Sequence, residues 1–216
     1  GLYKSTVHNI LSTLKAMEYL EQDEETGKYR LGIQIFNLSK ALGDTYSITK
    51  IAGPYMQELS NYTGERCYLA VPYRQEVLYL DAMYPADSIE LMRSILGERA
   101  QMHCTGLGKA MLANMGEREI SDYLEHHKLE AFTENSIIDK KQFREELLRT
   151  KQRGYALDDM EHEFGIKCIA MPVFDRTKNV YAAISISGMA NHFTDANIAE
   201  WAMLLKKYIR KIESRL

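Results

Sequence analysis

Two hydroxyls in one short run raise the first chemical question. Ser185 and Ser187 stand two apart in "YAAISISG", so on a strand both side chains leave the same face. The rest of that run is apolar, and hydroxyls set among apolar side chains need hydrogen-bond partners. A neighbouring backbone group or a bound ligand can supply them. Gly106-Leu107-Gly108 in "HCTGLGKAMLANM" precedes a helix, where free backbone N–H groups and the helix dipole favour an anion. The same glycines also suit a tight turn. Ile166 and Cys168 share one face of the strand "IKCIAMPVFD". Cys168 reads as a small wall residue or as a nucleophile helped by His162 or Asp158, and such neighbours act together only if they meet in space. His103, Cys104, Cys168, His126 and His127 lack the paired ligand spacings of a zinc site. No metal ion and no cofactor is expected.

A second chemistry lies at the start, in "GLYKSTVHNILSTLKAMEYLEQD". Val7, Ile10, Leu11 and Leu14 recur at the spacing of an amphipathic helix, with small, polar or basic residues between them. No acid appears before Glu18. A face with donors and no acids can lie against phosphates, and it can equally be an ordinary surface. The 216 residues carry a formal net charge of −3, which argues against a chain that binds nucleic acid all over and leaves room for a local basic face. No run of about 20 apolar residues could span a membrane, and no charged-then-apolar leader suggests export. Cys67, Cys104 and Cys168 are few, odd in number and scattered, as in a reduced cytoplasmic compartment.

These residues must be held by elements that the pattern also predicts. A helix is expected from about Ser5, its N-cap, to Met17 or Glu18. Strands follow at Tyr19–Gln22 and Tyr29–Leu31 around the turn "DEETGK". Helix then hairpin is the second half of a winged helix-turn-helix, whose first half would lie upstream of Gly1. Ile33 to Asp44 reads as a linker helix, and a second helical stretch spans about Ser47 to Tyr62, with Pro54 starting or kinking it. From Arg66 the runs "CYLAVPY", "EVLYLDAMYP" and "IELMRSI" read as strands. "EREISDYLEHH" and "KKQFREELLRTKQRG" read as amphipathic helices, the second ended by Gly154. Two strands, "IKCIAMPVFD" and "VYAAISISG", flank the turn "RTKN". A last helix from about Thr194 should bury Ile198, Trp201, Leu205, Tyr208, Ile209 and Ile212. This order predicts an α+β chain with helices packed on an antiparallel sheet.

The segments "GLYKSTVHNILSTL…YLEQDEETGKYRLG" closely resemble the recognition helix and wing of the IclR family of bacterial transcription regulators. "HCTGLGKAMLA", "GYALDDMEHEFGIKCIAMPVFD" and "AAISISG" resemble that family's effector-binding domain, in the same order. The three collinear blocks span essentially the whole chain. The resemblance implies the C-terminal part of a winged helix-turn-helix over 1–32, a linker helix over 33–46 and a GAF-like effector-binding domain over 47–216, its mainly antiparallel sheet flanked by helices. It implies a transcription regulator rather than an enzyme; the alternative is a thiol-dependent enzyme using Cys168. The implied partners are a pseudo-palindromic double-stranded operator, a small organic acid and further copies of the chain as a homodimer or homotetramer, with no membrane.

Carried over by position, the ligand-facing residues are Gly106, Leu107, Asp158, Ile166, Cys168, Ser185 and Ser187. Arg93 and Arg99 lie near the pocket entrance in sequence, without an assigned role. A recognition helix puts its N-terminal residues on the major groove. Lys4, Ser5 and Thr6 are then placed for phosphates, and His8, Asn9, Ser12 and Thr13 for bases, with Lys28 and Arg30 adding charge from the wing. Tyr3 stands where the family's turn usually has proline, Asn9 where arginine is frequent and Glu18 where glycine is frequent, so no relative's operator is carried over. With the first half of the motif upstream, residues 1–216 alone are expected to bind DNA poorly. A tight, sequence-selective gel shift by this polypeptide would contradict that reading.

Overall fold

Helix α1 (Lys4–Ala16) starts two residues earlier than the serine cap predicts. Tyr3 is its N-cap, with extended backbone and no side-chain cap bond, and Ser5 falls inside the first turn. The structure is a computed structural model that describes residues 1–45, 47–87 and 95–216, with side chains described outside 41–47. These residues form two compact units, Gly1–Ser47 and Ile48–Leu216.

In the first unit β1 (Leu20–Gln22) pairs antiparallel with β2 (Tyr29–Leu31). Asp23 closes their turn by accepting from the Thr26 amide at 2.7 Å and the Thr26 hydroxyl at 2.8 Å. Glu18 sits in the left-handed region at φ 58°, a backbone state that glycine adopts without strain. That accounts for the resemblance's glycine at this position. Gly32 packs against the Glu18 carbonyl, where a Cβ would overlap it. Helix α2 (Gln34–Thr45) covers most of the expected linker.

The second unit begins with α3 (Ser47–Thr63), which carries Pro54 inside it rather than at a new first turn. Strands β3 (Arg66–Tyr73) and β4 (Glu76–Met83) follow as expected. The strand expected in "IELMRSI", together with Arg93, lies outside the described residues except for Ile95. Then come β5 (Arg99–Gln101), α4 (Gly106–Leu112), α5 (Glu117–His126) and α6 (Lys140–Arg153). Gly154, left-handed at φ 83°, ends α6. The chain continues with β6 (Ala156–Asp159), β7 (Ile166–Phe174), β8 (Val180–Met189) and α7 (Asp195–Glu213), the last capped by Thr194. Strands β5 and β6 are additions to the expected set.

The six strands pair antiparallel in the order β5-β4-β3-β8-β7-β6. Alternation along β8 divides the core. Ile184 and Ile186 join Cys67, Leu69 and Ile169 under α3 and α7, with Met56, Leu59, Trp201 and Leu205 above them. Ala183 joins Ala70, Ala170 and Cys168 on the other face, under Leu107, Met111, Phe143 and Leu147. In α7, Trp201, Leu205, Ile209 and Ile212 are buried while Ile198 and Tyr208 are only partly covered.

Helix α4 is buried along its whole length. Its glycines permit this: a Cβ on Gly108 would overlap the Met102 backbone, and one on Gly106 would come 2.7 Å from Cys168 Sγ. The Met102 obstacle is backbone and cannot rotate away. Gly108→Ala should therefore cost about 1–3 kcal/mol, or more if the strand before α4 cannot shift. Thermal denaturation reads this as a lowered midpoint, and an unchanged midpoint would show that α4 has room the packing denies.

Candidate functional site

Lys4, Ser5, Thr6, His8, Asn9 and Ser12 are all exposed on α1, and no acid lies between Lys4 and Ala16. Thr13 instead turns its hydroxyl to the Asn9 carbonyl, at 2.9 Å. Leu11 and Leu14 are half-buried, whereas Val7 and Ile10 are exposed, so only part of the predicted apolar stripe is covered in this unit. Lys28 and Arg30 are exposed on the hairpin, but Arg30 is paired at 2.7 Å with Glu21, its partner across the two strands. Asp23, Glu24 and Glu25 occupy the hairpin tip, which confines positive charge to its Lys28–Arg30 flank.

In the second unit the register lines up a row of polar side chains. Arg66 of β3 pairs with Ser187 of β8, Ser187 with Cys168 of β7, and Cys168 with Asp158 of β6. Beside that row, Tyr68 pairs with Ser185 and Ser185 with Ala170. A cavity of about 450 Å³ opens over these rows, next to the start of α4. Gly106, Leu107, Asp158, Ile166, Cys168, Ser185 and Ser187 all line it.

Of the residues around them, the sequence places only Arg99 near the pocket, without a role. Tyr68, Tyr79 and Tyr84 form aromatic walls, with Tyr68 and Tyr79 edge-on at 5.7 Å. Arg66 and Arg99 bring guanidinium groups, while Glu98 and Glu163 bring carboxylates. Arg99 also contacts Glu76 at 3.3 Å and lies over the Tyr73 ring. The alternation of "CYLAVPY" places Tyr68 opposite Cys67 and Leu69, and this was the available sequence signal. Glu98 has none, and His162, which also lines the cavity, is reached only through its nearness to Cys168 in the chain.

The anion cradle differs from the expectation. Gly106, Leu107 and Gly108 do not precede the helix but form its first turn. Thr105 caps it by accepting from the Gly108 amide at 3.1 Å, and the Gly106 amide is directed at Cys168 sulfur. Fewer N–H groups are thus open to a ligand than the glycine pattern suggests.

Ser185 is fully buried, and its Oγ has no conventional hydrogen-bond partner among the described residues. The Cys168 thiol beside it is a weak partner at best. Asp158 is also buried, and its carboxylate accepts from the Glu161 amide at 2.8 Å. Burial nevertheless outweighs that bond and pushes the Asp158 pKa up to about 7. Near neutrality this side chain exists partly as an acid with a proton to donate.

Burial also pushes the Cys168 thiol well up, and Asp158 beside it acts in the same direction. The thiol that His162 meets is Cys104, at 3.6 Å from Nδ1, and that thiol is pushed up to about 12 by burial. His162 is itself held below its ordinary value by burial. Neither cysteine is an activated thiolate. His103 is occupied by the Glu130 carbonyl at 2.9 Å, and among the described residues no three His, Cys, Asp or Glu gather to hold a metal. No helix among them is long and apolar enough to cross a membrane.

Comparison with known proteins adds a second line of observation. The family described as "Bacterial transcriptional regulator IclR C-terminal" matches residues 40–214. The HTH-type transcriptional regulator XynR of Escherichia coli K12 is 32% identical over 207 residues, covering 96% of this chain and 82% of XynR. The crystal structure of the Thermotoga maritima IclR aligns with a TM-score of 0.83 at 28% identity, covering 100% of this chain and 86% of that one. An IclR homologue from Microbacterium hydrocarbonoxydans, crystallised with 4-hydroxybenzoate, aligns with a TM-score of 0.85 over 99% of this chain and 85% of that one. At 22% identity that likeness is one of fold alone.

The raised Asp158 carboxyl has a consequence for stability. Its folded pKa of about 7 lies above the ordinary aspartate value of 3.8, so the stability it confers is full below about pH 4 and is lost as pH rises through 7. Asp158→Asn removes that loss. The stability difference, Asp158→Asn minus wild type, should grow by about 1 kcal/mol per pH unit between about pH 4.5 and 7 in urea titrations. A flat difference would mean that Asp158 is ionised throughout that range.

Proposed function

The chain belongs to the IclR family of bacterial transcriptional regulators, and from that premise we propose that it is switched by a small organic acid held in the cavity beside α4. In this reading residues 1–32 belong to the winged DNA-binding domain, 33–46 link it to the rest, and 47–216 form the effector-binding domain. Lys4, Ser5 and Thr6 meet phosphates, His8, Asn9 and Ser12 face bases, and Lys28 and Arg30 add charge. Copies of the chain pair as a homodimer or homotetramer on a pseudo-palindromic operator in the cytoplasm. Effector occupancy changes operator affinity because the ligand binds two arrangements of the assembly unequally.

One observation carries the effector part: the buried Ser185 hydroxyl, with only the Cys168 thiol beside it, in a cavity shared with Asp158. A buried hydroxyl left unpaired is costly, and a ligand oxygen would relieve it. A carboxylate ligand would accept from Ser185 and from protonated Asp158, with Arg66 adding positive charge. This answers how an aspartate can face an anion. The thiol-enzyme alternative is disfavoured by the raised Cys168 thiol.

Calorimetry with a panel of keto, hydroxy and aromatic carboxylates, 4-hydroxybenzoate among them, tests the reading. A binder should lose about tenfold in affinity with Ser185→Ala, the value of one hydrogen bond to a charged group. Above the Asp158 pKa of about 7 its affinity should fall toward about tenfold per pH unit, and Asp158→Asn should flatten that profile because an amide still donates. Absence of binding across the panel, or a binder indifferent to both substitutions, would overturn the assignment.

A further inference from the structure

Lys109, the fourth residue of α4, is fully buried, a rare state for a lysine. Its Nζ donates to the Leu157 carbonyl and to Glu161 Oε1. An apolar side chain would fill that space without taking an ammonium out of water, which costs several kcal/mol per ion. What the ammonium touches explains its presence. Leu157 and Glu161 flank Asp158, and the Glu161 amide donates to Asp158 Oδ1 at 2.8 Å. On its outer side the same turn is gripped through its carbonyls: Asn135 donates to Asp159 at 2.9 Å, Thr133 to Met160 at 2.7 Å and Ser136 to Glu161 at 2.7 Å. Met160 sits within the turn at a left-handed φ of 59°.

We propose that Lys109 is a positioning residue of the effector cavity, tying α4 to the β6–β7 turn so that Asp158 faces the ligand. This rests on the effector reading above. Lys109 follows Gly106 and Leu107 by less than one helical turn, so one side chain joins two walls of the cavity.

The ammonium also acts through its charge. The groups that face Asp158 are Lys109 from α4, Tyr79 from β4, Cys168 from β7, Cys104 before α4, and Glu161 and His162 from the turn. The phenol and both thiols are pushed up by burial and stay neutral, and His162 is pushed down and stays neutral. Within this set Lys109 favours the ionised Asp158 and Glu161 opposes it. Burial alone would carry Asp158 still higher, and Lys109 returns it toward the range where a modest change in pH or in ligand charge moves its proton. Glu161 Oε2 has no hydrogen-bond partner among the described residues, so the pair is held through one oxygen.

The test needs no ligand. Carbon-13 labelling of aspartate carboxyls follows the Asp158 titration by NMR in the full chain, with Asp158→Asn identifying the resonance. Lys109→Met should raise its midpoint by about one pH unit or more, and Glu161→Gln should lower it, in accord with the loss of opposite charges. The double substitution, Lys109→Met with Glu161→Gln, should shift it less than Lys109→Met alone, and it keeps the test available if the single lysine variant fails to fold. Lys109→Arg should restore the wild-type midpoint. A purely structural lysine would change melting temperatures without moving the midpoint in opposite directions. Unchanged midpoints in folded variants would overturn the proposal. Calorimetry on wild type with the carboxylate panel reads the effector assignment separately: shifted midpoints with no binder would sink that assignment and leave the control of Asp158 by Lys109 standing.

Discussion

Everything around the cavity depends on how closely α4 lies against the sheet. Helices usually keep a side chain's thickness from the strands beneath them. Here Ala70, Ala170 and Ala183 form the strand surface, and Gly106 and Gly108 remove the helix's own bulk where it meets Cys168 and Met102. The approach fixes where α4 begins. Gly106 stands directly over Cys168 and Ala170, so the helix covers the alanine side of the strands and stops at the row that runs from Arg66 to Asp158. The cavity is the space that this early start leaves open. A bulkier α4 would have to lift, and the distance between its first turn and Ser185 would be lost as a defined length.

The two faces of the sheet have divided the work. Under α3 and α7, Ile48, Met56, Leu59, Leu69, Ile169, Ile184 and Leu205 are almost wholly removed from water, each worth about 1.5–3 kcal/mol of burial. The opposite face buries Lys109, Glu146, Asp158, Glu161 and Ser185. These groups cost free energy unless paired. Glu146 is satisfied by Arg149 at 3.0 Å and Arg153 at 2.7 Å, a local network on α6. Lys109 and Glu161 satisfy each other only in part, and Ser185 has only the weak Cys168 thiol beside it. Stability drawn from one face thus carries unfinished polar chemistry on the other, and in β8 the two come from alternate residues, Ile184 and Ile186 against Ser185.

That alternation is why much of the fold could be read in the residues. β7 and β8 announce themselves through β-branched and apolar runs, α6 through its stripe and Gly154, and α7 through Trp201, Leu205, Ile209 and Ile212. The serine pair followed from period two alone. β5 and β6 were illegible because they have three and four residues and include Arg99, Asp158 and Asp159, types that favour no strand. Glu18's left-handed backbone cannot be seen in a glutamate, and Ser5 looked like a cap only because Tyr3 does not. The polar row needed register: Arg66 and Asp158 are far apart in the chain, and only the pairing of four strands makes them the two ends of one row. Lys109 was hidden for a different reason. On a sequence it is one more helix lysine, and its burial comes from the carboxylate and carbonyl that β6 brings to it.

A regulator needs a part that can differ between two states, because a ligand shifts an equilibrium only by its unequal affinity for them. The polar row cannot be that part. A strand that slipped by one residue would turn Ser185 and Ser187 into the α3–α7 core and Ile184 and Ile186 out of it. Differential contacts are then best sought in a piece held by side chains rather than by ladders, and the β6–β7 turn is such a piece. It is held by hydrogen bonds from Thr133, Asn135 and Ser136 and by the Lys109 ammonium, with Met160 in a backbone state that costs about 1 kcal/mol or more outside glycine. The turn is thus fastened to its surroundings bond by bond, whereas the strands beneath it are fixed together by their register.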